Sequence, residues 1–325
     1  MMPLITTPFQ AQVAHSVLNP ASPQTRRVEA LWDAMYLASI VVFILVTGAL
    51  LWAAFRRRAA DAADTPARTR SMHRAVLLAT VLTTATLLAF LVADIATGRA
   101  NTSNPGPGAV QIQVTGHQWW WEVRYRDSIP QNWVTTANEI HVPVGHPVVV
   151  ELRSTDVIHS FWPPNLSVKR DLIPGNANSV WFQAESAGVY RGQCAEYCGL
   201  QHAKMGFQVI AQAPQEFGRW LSRQRDTALT PSDSITRRGQ EVFLGSSCVM
   251  CHAVSGTPAG SHVGPDLTHL ASRRTIAAGT LPNTRGNLAG WILDPQSIKP
   301  GVRMPATRLD PKDLQALLSY LESLK

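Results

Sequence analysis

Two long apolar runs dominate the first third of the chain. Residues 34–55 hold 22 positions without a formal charge, and residues 75–93 hold 19 before Asp94. Neither run spaces its polar residues at the helical period, so each predicts a helix that is apolar all round. Helices over about 34–55 and 75–96 are long enough to cross a hydrocarbon core. After a turn-rich stretch at 101–108 the pattern changes to period two. Residues 110–114 alternate apolar and polar, and 139–144, 148–152, 179–182 and 206–210 follow as short strand-like runs between Gly/Pro turns. Such spacing predicts an antiparallel sandwich or barrel. The helical period returns at 215–225 and 236–243. A last helix is signalled by Asp310 as N-cap and Pro311 in the first turn. Its stripe of Leu314, Leu317, Leu318, Leu321 and Leu324 is core-facing. Gly239 lets that helix cross closely, with Phe243 and Tyr320 filling the crossing.

These shifts divide the 325 residues into three expected domains: a helix hairpin with its N-terminal segment (1–100), a β-domain (101–226) and a helical domain (227–325). The formal net charge is +7. No basic-aromatic motif accompanies it, so nucleic acid is not an expected partner. Much of the excess is local: Arg56, Arg57, Arg58, Arg68, Arg70 and Arg74 lie between the apolar runs against only Asp61 and Asp64. Short Arg-rich loops stay in the cytoplasm. Both termini then face the opposite side, and everything after about residue 97 is periplasmic or outside the cell. The first thirty residues show no clear signal-peptide pattern.

The chemistry is concentrated in two stretches that use all four cysteines. The first is Cys194-x3-Cys198-x3-His202-x2-Met205, with a further imidazole upstream at His159. Sulfur and imidazole donors select copper over calcium or magnesium. A mononuclear blue-copper site takes one Cys, two His and a weak axial Met, and this set has a second Cys. Six donors suit two coppers bridged by the two sulfurs, each with one His and one weak axial group, the sixth donor being the Glu196 carbonyl. Cys194 and Cys198 also permit a disulfide in an oxidising compartment, as an apo form.

The second stretch, Cys248-x-x-Cys251-His252, is the attachment motif for c-type haem. Its thiols add to the porphyrin vinyl groups and His252 ligates the iron. Met304 is the candidate for the second axial position, where a thioether raises the haem potential. A zinc site is disfavoured, because no second C-x-x-C completes it. The Trp119-Trp120-Trp121 run falls on an expected strand, with Trp119 and Trp121 on one face and Trp120 on the other. Core packing accounts for one or two of these rings, and an exposed indole near the copper would be a port for electrons.

The helix hairpin, the 116–121 strand, the 156–161 segment and the 194–198 loop together resemble subunit II of haem-copper cytochrome c oxidases. The appended haem motif resembles the caa3-type version, with a cytochrome c fused at the C-terminus. The resemblance implies a cupredoxin-like β-sandwich and an all-α class I cytochrome c domain behind a two-pass anchor in the bacterial inner membrane. It implies a copper A centre held by His159, Cys194, Glu196, Cys198, His202 and Met205, with Trp119 as the point where electrons enter. It further implies a magnesium ion shared with subunit I through the Glu196 carboxylate, and Asp171 at the same interface. In the cytochrome part it implies axial His252 and Met304, Pro265 orienting His252 through its carbonyl, and Trp291 at a haem propionate. The implied role is electron relay from cytochrome c, through haem c and copper A, to subunit I (with subunit III), where oxygen is reduced and protons are pumped. The chain alone lacks the His set for oxygen reduction.

Three departures stand out: Trp120 where Tyr is common, Asn176 where Arg is usual, and no Glu in the 71–74 stretch. The last leaves proton uptake through this subunit open. Rival readings are the same relay in a nitric oxide reductase, and a copper chaperone or storage protein with an accessory cytochrome. Nitrous oxide reductase would require an additional His-rich domain, and a quinol oxidase subunit II would lack the copper ligands.

Overall fold

The structure is a computed structural model that describes residues 12–56, 66–103 and 105–325. The chain forms two compact units, residues 26–103 and the remainder. The first consists of α1 (Pro23–Phe55), most of which lies in it, and α2 (Pro66–Thr102). Both begin earlier than the apolar runs, because polar residues extend each helix beyond its apolar middle. At 1.5 Å per residue each is about 50 Å long, more than a membrane's hydrocarbon core requires. Their large side chains, Phe43, Leu45, Trp52, Leu87 and Val92 among them, are exposed, as suits a lipid-facing helix. Arg57, Arg58, Asp61 and Asp64, charged residues between the two apolar runs, lie outside the described residues.

The second unit holds the β-domain and the C-terminal helices. One sheet has the order β3–β2–β1–β5–β8, from β1 (Val110–His117), β2 (Trp120–Tyr125), β3 (Val134–Ala137), β5 (Val148–Ser154) and β8 (Asn178–Phe182). The other has the order β4–β10–β9–β6–β7, from β4 (Glu139–Pro143), β6 (His159–Trp162), β7 (Arg170–Leu172), β9 (Gly188–Cys194) and β10 (Gly206–Gln212). Period two is visible in β5, where Val148, Val150 and Leu152 are buried and Val149 and Glu151 are half-exposed. The inner faces meet around Trp121, Phe161, Tyr190 and Phe207. The sandwich is mostly antiparallel, but β1 pairs with β5 and β4 with β10 in parallel. The long crossovers between these strands permit that pairing. Residues 13–22 also join this unit: Val13 N–H donates to the Val189 carbonyl at 3.0 Å and Ala21 N–H to Asn165 at 2.8 Å.

The Trp run differs from the expected strand. Gln118 and Trp119 form the two-residue turn between β1 and β2, His117 pairing with Trp120 across it. Trp121 is fully buried, and Trp119 is only 9% exposed rather than open to solvent.

Beyond α3 (Pro214–Arg223), the helical part comprises α4 (Ser234–Gly245), α5 (Arg285–Leu293), α6 (Pro295–Ile298) and α7 (Pro311–Ser323), with a small β11/β12 ribbon (Thr275–Ile276, Leu281–Pro282). Asp233 caps α4 through the Ile235 and Thr236 amides, and Asp310 caps α7 through Lys312. The two helices cross at Gly239, where a Cβ would lie 2.0 Å from the Ala316 carbonyl oxygen. Phe243 and Tyr320 fill the crossing, ring centroids 5.9 Å apart. A separate hydrophobic cluster surrounds them.

Candidate metal centres

The first donor set gathers at one end of the sandwich. β9 ends at Cys194 and β10 starts at Gly206, so the loop between them hangs from two paired strands. β6 pairs with β9 and brings His159 beside that loop. The Cys194 and Cys198 sulfurs are 3.8 Å apart. His159 Nδ1 lies 3.9 Å from Cys194 Sγ, and His202 Nδ1 lies 3.6 Å from Cys198 Sγ. Met205 Sδ is 3.8 Å from Cys198 Sγ, and the Glu196 carbonyl oxygen is 3.2 Å from Cys194 Sγ. All six expected donors therefore meet around one sulfur pair. The Glu196 side chain points away, exposed, with its Oε1 accepting the Tyr197 amide.

The thiols titrate as a pair. A hydrogen bond from Cys198 holds Cys194 far below the usual thiol range, and the same interaction, with burial, pushes Cys198 up. Cationic charge beside the pair would favour loss of the second proton. Asp156, which sequence reasoning did not single out, accepts from His159 Nε2 at 2.8 Å and from the Gln118 and Val157 amides. Burial opposes its ionisation, but the His159 hydrogen bond and the two amides win and lower its pKa to about 2. The carboxylate therefore keeps a proton on Nε2 and leaves Nδ1 facing the sulfurs. No sequence pattern signals this beyond the three-residue spacing.

The second donor set lines one cavity: Cys248, Cys251, His252, Trp291 and Met304 surround it with apolar neighbours such as Leu267 and Leu288. His252 Nδ1–H donates to the Pro265 carbonyl at 2.7 Å, which leaves Nε2 as the free lone pair. Burial lowers the His252 pKa and keeps the ring neutral, the form that ligates metals. Its ring rests against Gly264, where a Cβ would come within 2.8 Å. Arg273 also lines the cavity, half-buried; its Nη2 donates to the Asp266 carbonyl at 2.5 Å, and its Nε has no partner among the described residues. An apolar cavity with two thiols, a neutral imidazole, a thioether and a guanidinium that keeps one N–H free fits a covalent haem with its carboxylates.

Trp119 touches both centres. It lines the cavity with Trp120 and His117, and its indole N–H donates to the Cys198 carbonyl at 2.9 Å. Gln118 Nε2 donates to the same oxygen at 2.8 Å.

Residues 129–212 match the family described as cytochrome c oxidase subunit II, periplasmic domain, and residues 236–325 match cytochrome c. The cytochrome c oxidase subunit 2 of Alkalihalophilus pseudofirmus is 36% identical, over 95% of this chain and 91% of that protein. The chain belongs to the cytochrome c oxidase subunit 2 family. It is a subunit of a haem-copper terminal oxidase, with copper implied in the sandwich and haem c in the helices. The subunit 2 of Bacillus sp. PS3 is 32% identical over 83% of this chain and 80% of that one. A solved periplasmic domain of subunit II from Bradyrhizobium japonicum is 31% identical, covers 38% of this chain and 97% of that one, and has a TM-score of 0.35. Membership brings a subunit I partner, electron transfer with cytochrome c and a membrane anchor with the folded domains on the outer side.

Proposed function

We propose that this subunit relays electrons from a cytochrome c, through a covalent haem c and a dinuclear copper A centre, to subunit I, where oxygen is reduced to water and protons are pumped. Cys194, Cys198, His159 and His202 would hold the coppers, with Met205 and the Glu196 carbonyl as weaker donors. Cys248 and Cys251 would anchor the haem, and His252 and Met304 would ligate its iron. When bound, these groups supply one-electron chemistry at fixed points. The chain's residues do the rest. Asp156 and the Pro265 carbonyl set the tautomers of His159 and His252. Trp291 and Arg273, which line the cavity, would meet the haem carboxylates. Trp119 carries the contact between the haem cavity and the Cys198 backbone. The exposed Glu196 carboxylate is the candidate for magnesium at the face toward subunit I, an interface to which Asp171 is also assigned. Domain limits of 1–100, 101–226 and 227–325 accompany this reading, with the anchor in a bacterial inner membrane and subunit III in the complex.

The observation that carries the proposal is the meeting of six donors around the Cys194–Cys198 pair, in the same compact unit as the haem cavity. The test is copper electron paramagnetic resonance with metal and haem analysis on the full chain, matured with c-type haem and loaded with copper. A multi-line hyperfine pattern from one electron shared by two coppers, at two coppers per haem, is expected. A single-copper spectrum, or copper removed by mild chelation, would move the protein to copper handling.

A further inference from the structure

A buried lysine stands at the junction between the sandwich and the haem-cavity helices. Lys299 follows α6, five residues before Met304 in the sequence, and is only 2% exposed. Its Nζ donates to the carbonyls of Trp119 at 3.0 Å, Lys204 at 2.9 Å and Ala277 at 3.2 Å. Burial, with Lys204 nearby, lowers its pKa to about 7; in the protonated form the amine has three donors, and the three carbonyls take all of them. No carboxylate pairs with it among the described residues. Two of its acceptors belong to the sandwich, beside the copper loop, and one belongs to the helical part.

Further bonds cross at the same seam. Gln201 Nε2 donates to the Pro300 carbonyl at 2.7 Å, Gly206 N–H to Ala278 at 3.0 Å, and Lys204 Nζ to Ile298. In return, Glu139 Oε1 accepts the Arg274 amide at 2.6 Å and the Thr275 amide at 3.1 Å.

A buried charge is costly unless every hydrogen bond is made. An interface needing only adhesion is served better by an apolar side chain. Three fixed carbonyls from both sides of a seam satisfy an ammonium in one relative placement, so the lysine specifies that placement. We infer that Lys299 is a positioning residue, an ammonium clamp that fixes the haem-bearing helices against the copper loop. The ten residues 224–233, which join α3 to α4, would by themselves leave the haem part free to swing. With the clamp made, the haem cavity stays against Trp119, and transfer between the centres does not wait on diffusion of a tethered domain. That consequence rests on the relay reading; the clamp itself does not.

The test uses the full chain in its oxidase complex. In the wild type, an amine-acylating reagent should leave Lys299 unmodified while exposed Lys169 and Lys312 react. Acylation of Lys299 at their rate would overturn the clamp without any variant. Lys299→Met keeps length and removes the donors. Hydrogen exchange at the Gly206, Arg274 and Thr275 amides should then accelerate about tenfold or more, while β1 and β5 keep wild-type protection. Copper and haem spectra should be unchanged, and haem-to-copper electron transfer should become viscosity-dependent where the wild type is not. Wild-type exchange and viscosity independence in Lys299→Met would refute the inference. If that variant loses both spectra, the wild-type acylation result decides. A failed relay would show in the copper spectrum and leave acylation and exchange intact.

Discussion

Asp156 is a short carboxylate three residues before a ligand, and its role is invisible without the fold. Its neighbours make it specific: one oxygen holds His159 Nε2 and the other accepts the Gln118 amide from the β1–β2 turn. Asp156→Asn keeps the shape, but its single carbonyl oxygen cannot serve both His159 Nε2 and the Gln118 amide, and the negative charge that holds the imidazole tautomer is lost. Copper affinity should fall by about 10–100-fold, read by competition with a calibrated chelator, while the haem spectrum stays unchanged. Unaltered affinity would reduce Asp156 to a turn residue. The donors themselves were legible because Cys, His and Met in close spacing have few other uses. Trp119 was legible as a residue of interest but not as a buried one. Its burial comes from a turn that folds under the copper loop, and period-two counting cannot see a turn inside an apolar run.

At the scale of elements, glycines with the same backbone class have opposite meanings. Gly239 on α4 faces α7 so closely that a Cβ would meet Ala316 O at 2.0 Å and Tyr320 Cβ at 2.7 Å. Gly239→Ala must push the helices apart and should cost about 1–3 kcal/mol or more. Gly218 on α3 is exposed and has nothing within 4 Å. Gly218→Ala should stabilise by about 0.5–1 kcal/mol, since alanine pays less entropy in a helix. Denaturant unfolding, followed by haem absorbance for the first and tryptophan fluorescence for the second, measures both. Equal effects would mean that the α4–α7 crossing is loosely packed. This crossing was readable in the sequence, since a glycine opposite a leucine stripe has one obvious use. The parallel β1–β5 and β4–β10 pairs were not, because pairing partners are set by long crossovers that carry no local signal. Nor was the docking of residues 13–22 on the sandwich, made through backbone groups that any sequence possesses.

At the scale of the whole molecule, the seam between sandwich and helices sets a pH dependence. Glu139 is fully buried there, and desolvation raises its pKa to about 7 from 4.5 despite the Arg274 and Thr275 amides. A carboxyl with a raised folded pKa binds its proton more tightly folded than unfolded. Its contribution to stability is therefore complete below about pH 4.5, is lost as pH rises toward 7, and above 7 the buried charge exerts its full penalty. His141, beside it and stacked on Trp220 at 4.0 Å, is held neutral, chiefly by burial, with its pKa lowered to about 3. It works the other way, destabilising as pH falls through 6.5, so the two limbs oppose each other in the wild type. Glu139→Gln keeps a carbonyl acceptor for both amides and cannot ionise, so the difference between the proteins isolates the carboxyl. The variant should be the more stable at pH 8, and its advantage should shrink as pH falls from 7 to 4.5, with a slope of up to about 1.4 kcal/mol per pH unit. Denaturant midpoints of the full chain, measured across that range, check it. A constant difference between the two proteins would mean that Glu139 keeps its charge in the fold, with water or a cation reaching the seam.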